Sequence, residues 1–507
     1  MGWNRESSLA RITKDLERLD ADGGVNVEKL KREMDFENLT DKQCRELFGA
    51  HVYATINNFA EYATAPTKGN DYRKFIRSVH AYQSTVTRIV ENIFDAAFVH
   101  FQGPKVHAIV YRPIDQATKI ADKAVLMQLA LHDFAKNVFN GVSGVQGDFK
   151  VASGSDLGNA IGTRNGQQSD RELLFIGDPA NQAAKVIGSG GTARIRPRVY
   201  EALSDDVKAI CTPNADSSFY TAAPSTEKLV ALLKDRGITW DHKALEALVK
   251  AKEGTITLDE IEYSDANEKI DPDSLSIRNN KRVTAASIFA DLSGFTKYVE
   301  SKTDNAGKKG ALRVFHAIRR ESSLISKTDY DGVRIQYQGD RIQAIFHIPK
   351  GEEAKFALEA LKAAAAMHSA IEDTLREKLP DIKDIHYAIG IDVGSTLVTK
   401  LGSHGQRDRI CLGTAVENAQ KLEDKNAQAE QTAISRKIYD LLPEYAQKPF
   451  TMTDDYYVVT GLTLDALEKA QQAMKGGAVN VAKTTTGMTV SSSGSGTRVE
   501  PAKSWGN

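Results

Sequence analysis

Two aspartates of this 507-residue chain stand where carboxylates can meet at the edge of a sheet. Asp291 ends the strand-like run TAASIFAD and is followed by Leu-Ser-Gly-Phe-Thr, which opens a helix. Asp340 lies in a tight Gln-Gly-Asp turn between the two strand-like halves of 332–347. Two such carboxylates, completed by phosphate oxygens of a substrate, suit Mg²⁺ or Mn²⁺. The amides of 293–296, at a helix start, suit a phosphate. Taken singly, Asp291 is better explained as a helix cap and Asp340 as a turn residue.

An internal repeat divides the chain into two halves. FQGPKVHAIVY at 101–111 matches YQGDRIQAIFH at 337–347, an offset of 337 − 101 = 236 residues. Three further pairs share this offset: YATINNFAEY at 53–62 with FADLSGFTKY at 289–298, GSDLGNA at 154–160 with GIDVGST at 390–396, and IGDPANQAAK at 176–185 with LGTAVENAQK at 412–421. Four matches in one register indicate a duplicated domain.

Each copy is predicted to be an α+β unit with the order strand, helix, hairpin, helix, strand. The long helix of the second copy is indicated by the helical spacing of Phe356, Leu361, Ala364 and Met367. The predicted organisation is an N-terminal helical segment at 1–47, a degenerate first copy at 48–205, a connecting helical region at 206–280, a second copy at 281–465 and a disordered tail at 475–507. The pattern of 206–280 leaves open whether this region packs on one copy or acts as a spacer.

Composition excludes several classes of partner. A net charge of −1 provides no general field for nucleic acid or an anionic membrane. The three cysteines are far apart and lack the spacing of a zinc site or a disulfide framework. No signal peptide and no long uncharged apolar run is found. We therefore expect a cytoplasmic protein that uses neither membrane nor nucleic acid, and a monomer or a homodimer.

The motifs FADLSGFT and YQGDRIQAIF resemble the two metal motifs of the class III nucleotidyl cyclases. The resemblance covers about 285–445 strongly and about 48–205 through the repeat. It implies two tandem ferredoxin-like cyclase homology domains that form an intramolecular pseudo-heterodimer. It also implies two divalent ions, Mn²⁺ or Mg²⁺, held by Asp291, Asp340 and the backbone carbonyl of Leu292. The implied phosphate-binding residues are Ser293, Gly294, Phe295 and Thr296.

The two copies carry complementary parts of the site that the resemblance implies. Thr55 and Pro104 stand in the aspartate places of the first copy, so that copy cannot hold the metals. Asn181 and Lys185 fill the catalytic asparagine and arginine places there, whereas the second copy has Glu417 in the asparagine place. A lysine lacks the bidentate fork of an arginine. One hybrid site is therefore expected, with its metals bound by the second copy and its catalytic residues in the first.

The base-reading positions fit neither purine pattern of the family. His100 and Leu174 occupy them, where adenylate cyclases have lysine and aspartate and guanylate cyclases have glutamate and cysteine. A leucine cannot hydrogen-bond a base edge, and Phe98 is a candidate for stacking. These substitutions are similar to those of the bacterial pyrimidine cyclases of Pycsar anti-phage defence, whose cyclic product acts on a separate effector.

We predict cyclisation of CTP as the activity, with UTP as the alternative. An adenylate cyclase with unusual base recognition and an inactive nucleotide-binding scaffold rank below these. An RNA-binding protein of ferredoxin-like fold is disfavoured, because the charge is balanced and aromatic RNA-binding strings are absent.

Overall fold

The computed structural model describes most of the chain. The described residues are 2–32, 34–36, 39–63, 70–142, 148–165, 172–188, 190–403 and 406–485. The predicted tail therefore lies outside the described residues from 486 onwards. No helix among the described residues is long and apolar enough to cross a membrane.

The first half of the chain builds one α+β unit, here called the first unit (residues 26–261), preceded by a helix. The strands are β1 Asn26–Lys29, β2 Gln43–Ile56, β3 Ala97–Gln102, β4 Lys105–Val110, β5 Val151–Asn165, β6 Glu172–Ile176, β7 Ala193–Ile195, β8 Cys211–Pro213 and β9 Tyr220–Ala222. The helices are α1 Arg5–Asp20, α2 Phe59–Ala63, α3 Asn70–Arg88, α4 Ala117–Asp133, α5 Asp178–Lys185, α6 Pro197–Ala202, α7 Asp205–Lys208, α8 Thr226–Asp235 and α9 His242–Glu253.

The second unit (residues 262–485) repeats this plan. Its strands are β10 Glu262–Asp265, β11 Asn279–Ser293, β12 Val333–Gln338, β13 Arg341–Phe346, β14 His386–Ser403, β15 Gln406–Leu412, β16 Gln431–Ser435, β17 Thr451–Thr453 and β18 Tyr456–Thr460. Its helices are α10 Phe295–Glu300, α11 Asn305–Leu324, α12 Glu353–Ser369, α13 Arg376–Lys378, α14 Thr414–Lys421, α15 Arg436–Leu441, α16 Glu444–Gln447 and α17 Leu464–Thr485.

The sheets confirm the ferredoxin-like order. In the first unit the strands run β3-β4-β2-β5-β7-β9-β8, and in the second β12-β13-β11-β14-β16-β18-β17. Many element bounds repeat at the predicted offset of 236 residues; β3, β4 and α5 recur as β12, β13 and α14. The hairpin around the Gln-Gly-Asp turn is confirmed as β12 and β13. The four apolar residues used to predict α12 are all buried. The predicted fold class is therefore confirmed.

Each unit extends a long hairpin over the core of the other. Ile161, Leu174 and Ile176 of the hairpin β5–β6, which we call the first arm, are buried in a core with α11 and α12 of the second unit. Leu401 and Ile410 of the hairpin β14–β15, the second arm, are buried in the core of the first unit. Because apolar burial contributes about 25 cal/mol per Å², these exchanged arms hold the two units together.

The segments outside the repeat are distributed differently from the expectation. The predicted helical segment 1–47 contains α1, but it also contains β1 and the start of β2. Helix α1 packs on the core of the second unit through Ile12, Leu16 and Leu19. A local pattern predicts that a helix has an apolar face, but not which core covers that face.

The region 206–280 does not act as a spacer. Strands β8 and β9 complete the first sheet, so the first unit continues beyond residue 205. Helices α8 and α9 bury Leu229, Leu233 and Val249 in the core of the first unit. At the other end of the chain, α17 continues to Thr485, so residues 475–485 of the predicted disordered tail are helical. The residues at the start of this segment include alanine, lysine and valine, which are compatible with a helix.

Candidate active site

Asp291 and the phosphate-binding candidates lie where β11 passes into α10. Strand β11 ends at Ser293 and α10 begins at Phe295. Gly294, between them, has a φ of 86°. A side chain there would collide with the carbonyl oxygen of Asp384. Only glycine therefore makes this sharp turn without strain, which directs Asp291 and Thr296 toward the same cleft.

Asp340 lies in the turn of the neighbouring hairpin. Its strand β13 pairs with β11, with Ala290 opposite Ile342, so the end of β11 and the turn that holds Asp340 are adjacent. Burial raises the pKa of Asp340 well above its usual range, and the charge of Asp291 raises it further. Burial also raises the pKa of Asp291, and the charge of Asp424 adds to this effect. The structure thus brings together the two predicted metal ligands.

This pair of carboxylates fits a divalent cation. Two buried, mutually repelling carboxylates are hard oxygen donors that a cation would stabilise. No cluster of three or more histidine, cysteine, aspartate or glutamate side chains suited to a metal is found among the described residues. Protein carboxylates alone therefore do not complete a coordination shell, and a metal here needs further oxygens, such as those of a triphosphate or the carbonyl of Leu292.

The first unit contributes Asn181 and Lys185 to the same cleft. Both lie on α5, which begins after Gly177 at a φ of 145°. The side-chain amide of Asn181 donates a hydrogen bond to the hydroxyl of Thr296 in the second unit. Lys185, exposed at the last position of α5, lies close enough for its charge to lower the pKa of Asp291. The predicted hybrid combination is thus assembled across the interface of the two units.

The cleft is nearly closed. It has a volume of about 30 Å³ and is lined by Phe175, Ile176, Gly177, Asn181, Phe295, Thr296, Val299, Phe315, Gly339 and Asp340. Ligand pockets usually measure several hundred Å³. The cleft in this structure is therefore too small for a triphosphate.

The base-reading candidates are placed unequally. Leu174 is buried and faces the second unit from the first arm. Burial lowers the pKa of His100 to about 4, so it is neutral near pH 7. Its Nε2 lies 2.7 Å from the amide nitrogen of Gln102. Both residues therefore remain candidates for the inner wall of the cleft.

Phe98, the third base-binding candidate, lies apart from Leu174 and His100. It packs in the core of the first unit, where its ring centroid is 5.3 Å from that of Phe101. The pairing of β3 with β4 shifts between Phe98 and His100, a bulge that changes the face on which side chains lie. The structure therefore places Phe98 in the core of the first unit, apart from His100, and its stacking on a base stays a prediction.

Sequence reasoning missed three charged residues close to the cleft. Glu172 of the first arm lies between Arg319 of α11 and Arg334 of β12. Arginines on an amphipathic helix are usually solvent-exposed, but Arg319 follows Phe315 by one helical turn and lies on the same buried face. That spacing is the signal that could have indicated its position.

Comparison with known proteins agrees with this geometry. Residues 278–461 match the family model described as the adenylate and guanylate cyclase catalytic domain. The second unit therefore contains a class III cyclase catalytic domain. A curated relative from Pseudomonas aeruginosa named uridylate cyclase is 26% identical over 465 residues, 88% of this chain and 88% of the relative. A uridylate cyclase from a Rhizobium species is 26% identical over 410 residues, 76% of this chain and 77% of the relative.

A solved structure shares the fold of this chain over most of its length. It is the crystal structure of a class III adenylyl cyclase-like ATP-binding protein from Pseudomonas aeruginosa, with a TM-score of 0.80 and 24% identity. The match covers 92% of this chain and 99% of that one. The tandem arrangement of two cyclase-like units is therefore also found in that protein.

Proposed function

We propose that this chain cyclises a pyrimidine nucleoside triphosphate to its 3′,5′-cyclic monophosphate and pyrophosphate. The observation that carries the proposal is the complementarity of the cleft. Asp291 and Asp340 of one unit face Asn181 and Lys185 of the other. The opposite combination has Thr55 and Pro104 in place of the aspartates, and cannot bind the metals.

UTP is the first candidate and CTP the second. Two relatives that match more than three quarters of this chain, at 88% and 76%, are named uridylate cyclase. The sequence-based preference for CTP rests on base positions that suit either pyrimidine. Leu174 and neutral His100 provide no match for the hydrogen-bonding edge of adenine that the purine cyclases read.

Asp291 and Asp340, with the backbone carbonyl of Leu292, would hold the divalent ions. Mg²⁺ or Mn²⁺ bound there would offset the charge of the triphosphate and of the developing alkoxide. The backbone amides from Ser293 to Thr296 are the groups that we assign to the phosphates. Burial raises the pKa of both aspartates, so a cation that binds there competes with protons.

Asn181 and Lys185 act on the reacting groups. In the reaction, the ribose 3′-oxygen forms a bond to the α-phosphorus, and the bond from that phosphorus to the oxygen bridging to the β-phosphorus breaks. Pyrophosphate leaves, and the proton of the 3′-hydroxyl passes to solvent. On opening of the cleft, Asn181 exchanges the hydroxyl of Thr296 for the ribose and orients the 3′-oxygen. Lys185, exposed at the end of its helix, offsets charge on the phosphoryl oxygens.

The cyclic product is proposed to act as a second messenger for a separate effector, as in anti-phage defence. One complete site per chain needs no second subunit, so the chain is proposed to be active as a monomer; a homodimer of such chains is compatible with the same site.

The test is to incubate the purified chain with ATP, GTP, CTP or UTP and either Mn²⁺ or Mg²⁺, and to identify products by mass. A cyclic pyrimidine monophosphate that is lost in Asp291→Asn supports the proposal. Cyclic AMP as the main product would replace it by the adenylate cyclase alternative. Tight binding of a nucleotide without any product would instead indicate the inactive scaffold.

A further inference from the structure

An ionic cluster joins the two units, with two buried arginines around the partly buried Glu172. Glu172 of the first arm accepts hydrogen bonds from Nη1 of Arg334 at 2.8 Å and from the backbone N–H of Tyr337 at 3.1 Å. Nη2 of Arg319 reaches the same carboxylate at 3.4 Å, which is the longest of the three contacts. Glu172 is therefore well satisfied without Arg319.

Arg319 is buried, and most of its donors are unused. Its side chain is 2% exposed. Its Cζ lies 3.6 Å from the ring centroid of Tyr337 and 5.0 Å from that of Phe315. Among the residues that the structure describes, Nε and Nη1 of Arg319 have no hydrogen-bond partner. Unpaired donors of a buried guanidinium are costly, which indicates that a ligand satisfies them.

Arg319 lies close to the substrate cleft. Phe315, one turn earlier on α11, lines that cleft together with Asp340. The charge of Asp340 acts on Arg319, which places the two groups near each other. One face of β6 meets the second unit, and it carries Glu172, Leu174 and Ile176. The guanidinium therefore lies beside the first arm, which also carries the base-reading candidate Leu174, and we assign this side of the cleft to the base.

The repeat provides an internal control. The residue 236 positions before Arg319 is Gln83, whose amide donates to the carbonyl of Gly103 at 3.1 Å. The residue at the same offset before Arg334 is Phe98. The opposite hybrid site, with Thr55 and Pro104 in the metal places, therefore lacks both arginines. Arg319 and Arg334 belong to the unit that holds the metal aspartates.

We infer that Arg319 reads the base of the substrate by donating from Nε and Nη1 to a ring carbonyl of a pyrimidine, with Glu172 as its positioning residue. This inference rests on the proposed function and names its specificity determinant. Both pyrimidines have a 2-carbonyl, and uracil has a second one at C4. Adenine has no carbonyl and offers an amino donor, which would face the donors of Arg319. Guanine has O6 and N7 as acceptors, so GTP is the rival that the experiment must reject.

The experiment compares the full-length wild type with Arg319→Gln and Arg319→Lys. Arg313→Gln is the matched control, because Arg313 lies on the same helix but pairs with Asp20 at the surface. We would measure kcat/KM for UTP, CTP, GTP and ATP, and for two UTP analogues, one lacking the 4-oxygen and one with sulfur in place of the 2-oxygen. Thermal unfolding of each variant reports whether it is folded.

The wild type should lose about tenfold or more in kcat/KM with one of the two analogues, which identifies the carbonyl that is read. In Arg319→Gln the ratio of UTP to that analogue should fall toward one, whereas Arg313→Gln should keep the wild-type ratio. Arg319→Lys keeps the charge but loses the fork and should give an intermediate ratio. If Arg319→Gln does not fold, the ratio in Arg319→Lys decides.

Three results would overturn the inference. The first is a folded Arg319 variant that keeps the wild-type ratio for both analogues. The second is a wild type that turns over both analogues as well as UTP. Both leave the proposed function intact. The third is a wild type that cyclises neither UTP nor CTP, or one that prefers GTP to both. Either result rejects the proposed function and the inference together.

Discussion

Replacement of Gly294 by alanine tests whether the turn between β11 and α10 positions the active site. At a φ of 86°, a residue with a Cβ costs about 1–2 kcal/mol relative to glycine. The new methyl group would also overlap the backbone carbonyl of Asp384, which cannot rotate away as a side chain can. With this overlap, we expect a loss of about 2–4 kcal/mol in the free energy of unfolding.

The displacement should reach the chemistry, because Asp291 and Thr296 flank this turn. A shift of about 1 Å in a positioning group can lower turnover about 100-fold, and we expect a loss of that order in kcat. Gly461→Ala is the control, since Gly461 has a φ of 65° and a methyl group added there would have no described atom within 4 Å. It should lose only about 1–2 kcal/mol and keep full activity.

The assays are denaturant unfolding and initial rates of cyclic nucleotide formation. Equal stability losses in Gly294→Ala and Gly461→Ala, with full activity in both, would refute the role assigned to the turn.

Three other perturbations test separate parts of the account. Asn181→Ala should lower kcat about tenfold or more through lost orientation of the ribose, whereas Glu417→Ala, its counterpart in the inactive combination, should leave kcat unchanged; equal losses would contradict a single hybrid site. Burial raises the pKa of Asp408, which accepts a bond from the backbone N–H of Phe101, to about 8. The folded state therefore binds more protons than the unfolded state between about pH 4 and pH 8. Stability should fall as pH rises through this window, and Asp408→Asn should reduce the slope by the contribution of one proton in unfolding measured at a series of pH values; an unchanged slope would reject the assignment to this carboxyl. Leu401→Ala in the second arm should cost about 2–5 kcal/mol in unfolding free energy, because Leu401 is fully buried against the first unit; a loss below about 1 kcal/mol, as for a surface position, would show that the arm does not anchor the units.

The repeat made much of the fold predictable. Its offset of 236 residues aligned the hairpins and helix starts of the two units, because both copies satisfy the same alternation of buried and exposed positions. The same alignment assigned Asp340 and Asn181 to one cleft, and in the structure both residues line the same cleft. Motifs that recur in register report tertiary neighbours, which isolated strand or helix patterns do not.

The errors arose where tertiary packing decides. Phe98 was a candidate for stacking on a base, but the bulge between it and His100 shifts the register, and its ring packs in the core of the first unit. Helices α8 and α9 have apolar faces that would suit either core, so their packing on the first unit was not predictable. Arg319 resembles a surface arginine in sequence, and its burial follows from the first arm, whose Glu172 is 147 residues away along the chain.

The most direct test of the central claim, one complete site built within one chain, is a complementation experiment. Asp291→Asn and Asn181→Ala are each purified, mixed in equal amounts, refolded together from denaturant, and assayed with UTP, CTP and Mn²⁺ against refolded wild type. The account predicts that the mixture is no more active than the separate variants, because each chain pairs its own two units. Recovery of a substantial fraction of wild-type activity would mean that the site forms between chains and would contradict the intramolecular assembly.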